Sequence, residues 1–350
     1  MLQKIVCSGT PRALGQEYGL QCEELIRGFL EETEEYLASH LNLEPKLLAQ
    51  RAAEYFEPST QKHAPHLWEE IQGLAEACGQ PLEKIWFLQG ISEFTFGVYP
   101  ENLAAAACAG ATETGESIAA FNWDFFAPYA EKYLIVRETQ TPEGNKVLSL
   151  TLAGSLGYAG ISSHGTAFFS TSLKSSGIQK GLPVSIIARL ALEQPDLESM
   201  VKIISELPRI TARNFLLADG TSCVNLETTI SEQVPLWPSA VGLLVHANHF
   251  VSDRFKEVDL GSAKWPESSE RFQRCSTLLS QSLPISNRSM AQILADHVNS
   301  PKGICRHGID GEKAPQTIAS AIAQPASSSL LVCPGNPCSN KWTSFSLTGE

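Results

Sequence analysis

Long apolar runs are missing from this chain. Runs such as AVGLLV at 240–245 fall far short of the about twenty residues that cross a bilayer, so no transmembrane helix is expected. Clustered cations are scarce too: 26 Lys and Arg stand against 38 Asp and Glu, a formal net charge of −12. Binding to nucleic acid or to an anionic membrane needs grouped Lys and Arg to replace counterions, so neither partner is expected. Paired cysteines are lacking as well. The nine are odd in number, irregularly spaced and without a CxxC, which excludes a disulfide framework or a zinc ribbon and points to a reducing, cytoplasmic setting. Most of these thiols are expected to be buried apolar filler. The start, MLQKIVCSGTPRALG, has no basic stretch followed by a long apolar one, so no secretion signal is read. A GxSxG nucleophile elbow is also absent.

Aspartate is missing from residues 1–107, where sixteen Glu stand against seven Lys and Arg. Glu without Asp is a helix-former's composition. The run from Thr10 to Leu41 opens with an N-cap residue and a proline at the first helical position. Leu14, Tyr18, Cys22, Leu25, Ile26, Phe29 and Leu30 then recur at helical spacing. PKLLAQRAAEYF, PHLWEEIQGLAEACG and PLEKIWFLQGISEF continue as helices bounded by Pro or Gly. From Ser117 onward, short apolar or alternating runs (SIAAFNWDF, KYLIVRE, KVLSLTLAG, GYAGISS, GTAFFSTS, FLLADG, SCVNLETT, VGLLVHAN, SSLLVC, WTSFSL) read as strands. Helices PVSIIARLALE, DLESMVKIISEL, SERFQRCSTLLSQ and MAQILADHV lie between them. The pattern is an α-rich front and an α/β body with long antiparallel stretches.

At the change of texture stands AAAACAG, with Cys108 after four alanines. It is either a tether with a filler thiol or a loop kept small around a nucleophile. Sixteen residues on, FNWDFF places Asn122 and Asp124 at a strand end; turn chemistry is the ordinary role of such a pair, and orientation of a nucleophile is the alternative. HANHF carries His246 and His249. In a strand, residues three apart face opposite sides, so the two imidazoles do not share an ion, and no metal is expected. Asn248 between them suits either an oxyanion donor or a side-chain bond to backbone. ICRH (304–307), with Arg306, and PGNPC (334–338) read as structural in isolation. No histidine stands out as a base for Cys108.

Taken together, GTPRALGQEYG, WEEIQGLAEACGQPLEKIWFLQGISEF, Cys108, NWDFF, GYAGISSHG, HANHF, SSERFQR, ICRH and PGNP resemble, in order, the acyl-coenzyme A:6-aminopenicillanic acid acyltransferase (isopenicillin N acyltransferase) family of N-terminal nucleophile hydrolases. The resemblance implies a four-layered α-β-β-α sandwich of the α+β class, with a helical N-terminal segment. It implies self-cleavage at Ala107–Cys108 into a 1–107 segment and a 108–350 segment that stay together as a heterodimer, Cys108 then using its own α-amine as base. Model α-amines and thiols titrate near one another, at about pH 8 and about pH 8.5, so the proton exchange is chemically reasonable. By the same resemblance Asp124 orients that amine, Asn248 holds the oxyanion and Arg306 lies near the centre. The implied reaction passes an acyl group from an amide or thioester, acyl-coenzyme A included, through acyl-Cys108 to water or an amine, with no cofactor. Phe121 replaces the polar residue that commonly precedes NWD, a position where bile-salt hydrolases usually carry Arg. Three readings follow: an acyltransferase or an amidase like the β-alanyl-amine hydrolases, a non-catalytic binding protein, or a Cys–His hydrolase that is never cleaved.

Overall fold

A computed structural model describes residues 2–95, 102–125, 128–141, 143–308 and 315–347. Phe126 of NWDFF, and Pro100 and Glu101 ahead of the alanines, lie outside the described residues.

The helical front begins with β1 (Gln3–Ser8) and continues as α1 (Pro11–His40), α2 (Pro45–His63), α3 (Pro65–Ala77), α4 (Leu82–Gln89) and α5 (Ile91–Thr95). Thr10 is the N-cap of α1 and Pro11 its first residue, but the threonine hydroxyl makes no cap bond. The apolar stripe of α1 is buried from Leu14 to Leu30, with Leu25 at its margin. Gly15 and Gly73 let α1 and α3 touch. A Cβ on Gly15 would stand 1.9 Å from the Glu70 carbonyl oxygen, and one on Gly73 2.2 Å from that of Arg12, so both positions require glycine.

The body holds two sheets. The first runs β1, β4 (Leu134–Gln140), β5 (Lys146–Leu152), β6 (Ala159–Ser162), β7 (Ala167–Ser172), β8 (Arg213–Ala218), β9 (Cys223–Thr228), β10 (Gln233–Leu236). The second runs β11 (Leu243–His246), β2 (Leu103–Ala107), β3 (Ile118–Phe125), β12 (Gln316–Gln324), β13 (Ser329–Pro334), β14 (Thr343–Ser346). Among these pairings only β1 with β4 is parallel. The sheets face each other through β2 and β3 against β7 and β8. Helices α6 (Val184–Leu192) and α7 (Leu197–Glu206) cover the first sheet. The second is covered by α9 (Glu267–Gln281) and α10 (Asn287–Leu294), which follow the single-turn α8 (Gly261–Lys264). The layers are therefore α-β-β-α. Residues 1–107 supply a strand to each sheet, so the front is interwoven with the body.

The alanines belong to β2, a strand rather than a loop. Ala104 and Ala106 face the core between the sheets, while Ala105 and Ala107 face Cys275, Leu279 and Met290 beneath α9 and α10. All four are at most 1% exposed. A central strand pressed on both faces takes small side chains because the layers leave no more volume. The smallness of AAAACAG thus has a packing cause, in place of the expected tight loop around a scissile bond. Phe121 is core too, its ring stacked on Phe169 with centroids 4.7 Å apart.

Candidate active site

Register decides which residues meet. In the β2–β3 hairpin Ala107 pairs with Ile118 and Leu103 with Asn122. Cys108 therefore stands at the turn end. Asp124 lies six residues beyond Ile118, about 20 Å away at about 3.4 Å per residue. The expected grouping of Cys108 with Asp124 is corrected by this geometry: antiparallel strands bring Asp124 beside the start of β2, where Asn102 stands, and not beside its end.

The Asp124 end is a buried ionic cluster. One carboxylate oxygen, Oδ2, is ion-paired with Arg271 and lies 3.3 Å from Arg306 Nε. The other, Oδ1, accepts from the Thr317 hydroxyl at 2.7 Å. Arg271 also donates to Asn248 Oδ1 at 3.1 Å, and Asn248 Nδ2 donates to the carbonyl of Ser172 at 3.2 Å. Arg306 reaches Glu267 at 3.4 Å. Asp124, Asn248, Asn102 and Thr317 are fully buried and the two arginines at most 2% exposed. Two guanidiniums against two carboxylates balance the charge, as burial demands. Burial, and then the neighbouring Arg271, lower the Arg306 guanidinium to about 10.

Asn102, just ahead of β2, stands beside Asp124. Its Oδ1 accepts the Asp124 N–H at 3.0 Å, and its Nδ2 donates to the Tyr158 hydroxyl at 2.8 Å and the Ser170 carbonyl at 2.7 Å. Its φ of 69° lies in the left-handed region, which asparagine tolerates best after glycine. Beneath it Trp123 stacks on Tyr158 at 4.0 Å. A separate cavity between Trp123, Tyr158 and Gln89, lined by none of the cluster residues, measures about 20 Å³, room for a single water.

The Cys108 end is chemically separate. Its N–H donates to the Gly242 carbonyl at 2.8 Å. Its half-buried sulfur is 2.9 Å from Cys223 Sγ on β9. Hydrogen bonding from the Cys223 thiol lowers Cys108 to about 7 and correspondingly raises Cys223. The histidines of HANHF turn elsewhere: His246 Nε2 is 2.8 Å from Glu227, and His249 Nδ1 is 2.7 Å from the Ser268 hydroxyl.

Arg306 thus touches Asp124, Asn248 joins it through Arg271, and Cys108 stands at the other end of the hairpin. Arg271, Thr317 and Asn102 were missed. A signal for Arg271 was present: it sits in a helical stripe with Ser268, Cys275 and Leu279, all buried in α9, and a cation inside an apolar stripe implies a buried counter-charge.

The layers are those of an N-terminal nucleophile hydrolase fold, and at one end of its second sheet the Asp124 carboxylate of β3 meets guanidiniums from α9 and from the stretch before β12. More particularly, the chain belongs to the acyl-coenzyme A:6-aminopenicillanic acid acyl-transferase family, whose sequence profile matches residues 111–339. That match begins after both Asn102 and Cys108. Over 346 residues the chain is 24% identical to the acyl-coenzyme A:6-aminopenicillanic-acid-acyltransferase 40 kDa form of Emericella nidulans, covering 95% of this chain and 92% of that one. Similar solved structures include penicillin V acylase from Agrobacterium tumefaciens, at TM-score 0.48 and 13% identity, covering 70% of this chain and 86% of that one. An N-acylethanolamine-hydrolyzing acid amidase ortholog from Caenorhabditis elegans follows at TM-score 0.48 and 14% identity, covering 64% and 92%. At that level no residue correspondence follows. The family and the Emericella nidulans relative are named for acyl transfer, which supports an enzyme of the acyltransferase class. Among the described residues no helix is long and apolar enough to cross a membrane.

Proposed function

We propose that this protein acts on the acyl C–N bond of a small acylated amine at the Asp124 end of the hairpin, and that Cys108 is not its nucleophile. The register of β2 against β3 carries this reading, because it keeps the thiol a strand's length from Asp124 and Asn248. Attack on an amide carbonyl drives negative charge onto its oxygen, and donors already fixed in a dry site stabilise that charge without reorganising. Asn248, Arg271 and Arg306 are such donors, and Asp124 holds both cations in place. Asn102 offers neither thiol nor hydroxyl, so water or an acceptor amine attacks the carbonyl directly and no acyl-enzyme forms.

A half-buried thiol lowered to about 7 favours a second reading. In it the Ala107–Cys108 bond is cut, the fragments stay paired, and Cys108 takes the acyl group at its own end. One experiment separates the two: intact mass, with turnover on a panel of acyl amides and acyl thioesters, for wild type, Cys108→Ala and Asn248→Ala. The first reading expects one uncut chain, unchanged turnover in Cys108→Ala, and a loss of about 10²- to 10³-fold in Asn248→Ala. Fragments 1–107 and 108–350 that vanish in Cys108→Ala would overturn it and establish the second. Saturable binding without turnover on the whole panel would mark a non-catalytic binding member and overturn both.

A further inference from the structure

Two motifs left over from the Asp124 cluster, ICRH and PGNPC, meet in space. His307 Nε2 lies 3.0 Å from His297 Nε2, 3.6 Å from Cys305 Sγ and 3.6 Å from Cys338 Sγ. All four of these atoms fall within 4.8 Å of one another.

We propose that His297, Cys305, His307 and Cys338 bind a zinc ion in a four-coordinate structural site. Hydrogen bonding alone does not account for the arrangement. A neutral imidazole nitrogen has one proton or one lone pair, yet His307 Nε2 is approached by another imidazole nitrogen and two sulfurs at once. A shared cation satisfies all four, since each ligand then directs its lone pair at a common centre. The two nitrogen-to-sulfur spacings of 3.6 Å agree with this, while the nitrogens stand closer, at 3.0 Å. Zinc bonds of about 2.0–2.1 Å to nitrogen and about 2.3 Å to sulfur, at tetrahedral angles, require about 3.4 Å between the nitrogens and about 3.6 Å from nitrogen to sulfur. Two thiolates with two imidazoles in tetrahedral array favour zinc over the hard cations.

The surroundings are those of a built site. Asn336 Nδ2 donates to Cys305 Sγ at 3.4 Å and to the Arg306 carbonyl at 2.6 Å, the outer-shell support that orients metal ligands. The Cys305 N–H is held by the Asp296 carbonyl at 3.0 Å. The ligands come from three segments: the end of α10, the stretch before β12 and the turn after β13. Arg306 stands between two of them with its side chain on Asp124, so the ion would clamp the backbone that delivers a guanidinium to the reaction cluster. This replaces the expectation of no metal. Sequence spacing hid the site because its ligands fall outside any compact motif, Cys338 lying 31 residues from His307.

The test uses the full chain, expressed with added zinc and purified without chelator. Elemental analysis should find about one zinc per chain. Exchange with cobalt should produce thiolate-to-cobalt charge-transfer absorption and the visible bands of a tetrahedral ion. His297→Ala and Cys338→Ser, which spare the buried Cys305, should each weaken zinc binding more than tenfold while circular dichroism stays native. Asn336→Ala should weaken it about tenfold. Wild-type protein without zinc and without the cobalt charge-transfer band would overturn the proposal. So would equal zinc in the His297 and Cys338 variants, or a Cys305–Cys338 disulfide in the freshly purified chain.

Discussion

Replacing Asp124 with Asn keeps the shape of the side chain and removes one of the two negative charges in a cluster with two guanidiniums. Glu267, whose side chain is 13% exposed, then faces Arg271 and Arg306 alone. Removing one partner of a buried ion pair costs about 3–5 kcal/mol, because the charge left behind stays desolvated and unmatched. Unfolding entropy of about 2.1 cal/mol/K per residue gives about 0.7 kcal/mol/K for a chain of this length, so Tm should fall by about 4–7 °C. Calorimetry of Asp124→Asn reads the shift, and Arg306→Gln added to it should recover part of the loss by restoring neutrality. Coupling between the two substitutions identifies charge balance as the cause. A Tm unchanged within about 1 °C in Asp124→Asn, or a double variant no better than additive, would refute the reasoning.

The Cys108 thiol should be alkylated with a midpoint near pH 7, faster above it and slower below, because the thiolate is the reactive form. Cys223→Ala removes the donor and should move that midpoint upward; mass spectrometry of the alkylation rate against pH checks both, and an unmoved midpoint discards the Cys223 hydrogen bond as the cause. Gly73→Ala should lower stability by about 1–3 kcal/mol or more in denaturant melts, since its Cβ would meet the Arg12 carbonyl oxygen at 2.2 Å. Ala106→Leu should destabilise by a similar about 1–3 kcal/mol, because β2 is packed on both faces. Glu70 is fully buried between Arg137 and Arg189; desolvation raises its pKa, but the two guanidiniums outweigh that and the net effect is a lowering. Its stabilisation is therefore present above the ordinary carboxylate range and lost as pH falls through the lowered folded-state value. Glu70→Gln should flatten the acid limb of a stability-against-pH curve, and an unchanged limb would remove Glu70 from that role.

Local sequence determined the elements whose patterning is decided within one helix or strand. Pro11 and the stripe from Leu14 to Leu30 specify α1 because helical periodicity depends only on the burial of one face. The alternating or apolar runs from SIAAFNWDF to WTSFSL specify strands for the same local reason. Besides β1 and β10, what escaped was the middle of the second sheet. LAAAA and QTIASAIAQ, the neighbours of β3 on either side, are rich in alanine, and LAAAA has none of the β-branched or aromatic residues that mark strands. LAAAA is a strand because its two faces are both packed against the neighbouring layers, a property of the packed molecule. The site divides in the same way. Asp124, Asn248 and Arg306 were legible as chemistry-bearing residues in motifs, but which of them meet, and that Asn102 rather than Cys108 joins them, depends on the register of an antiparallel hairpin, where the far end of one strand faces the beginning of the other. The convergence of His297, Cys305, His307 and Cys338 is likewise tertiary, because three separate segments must dock before their lone pairs share a centre.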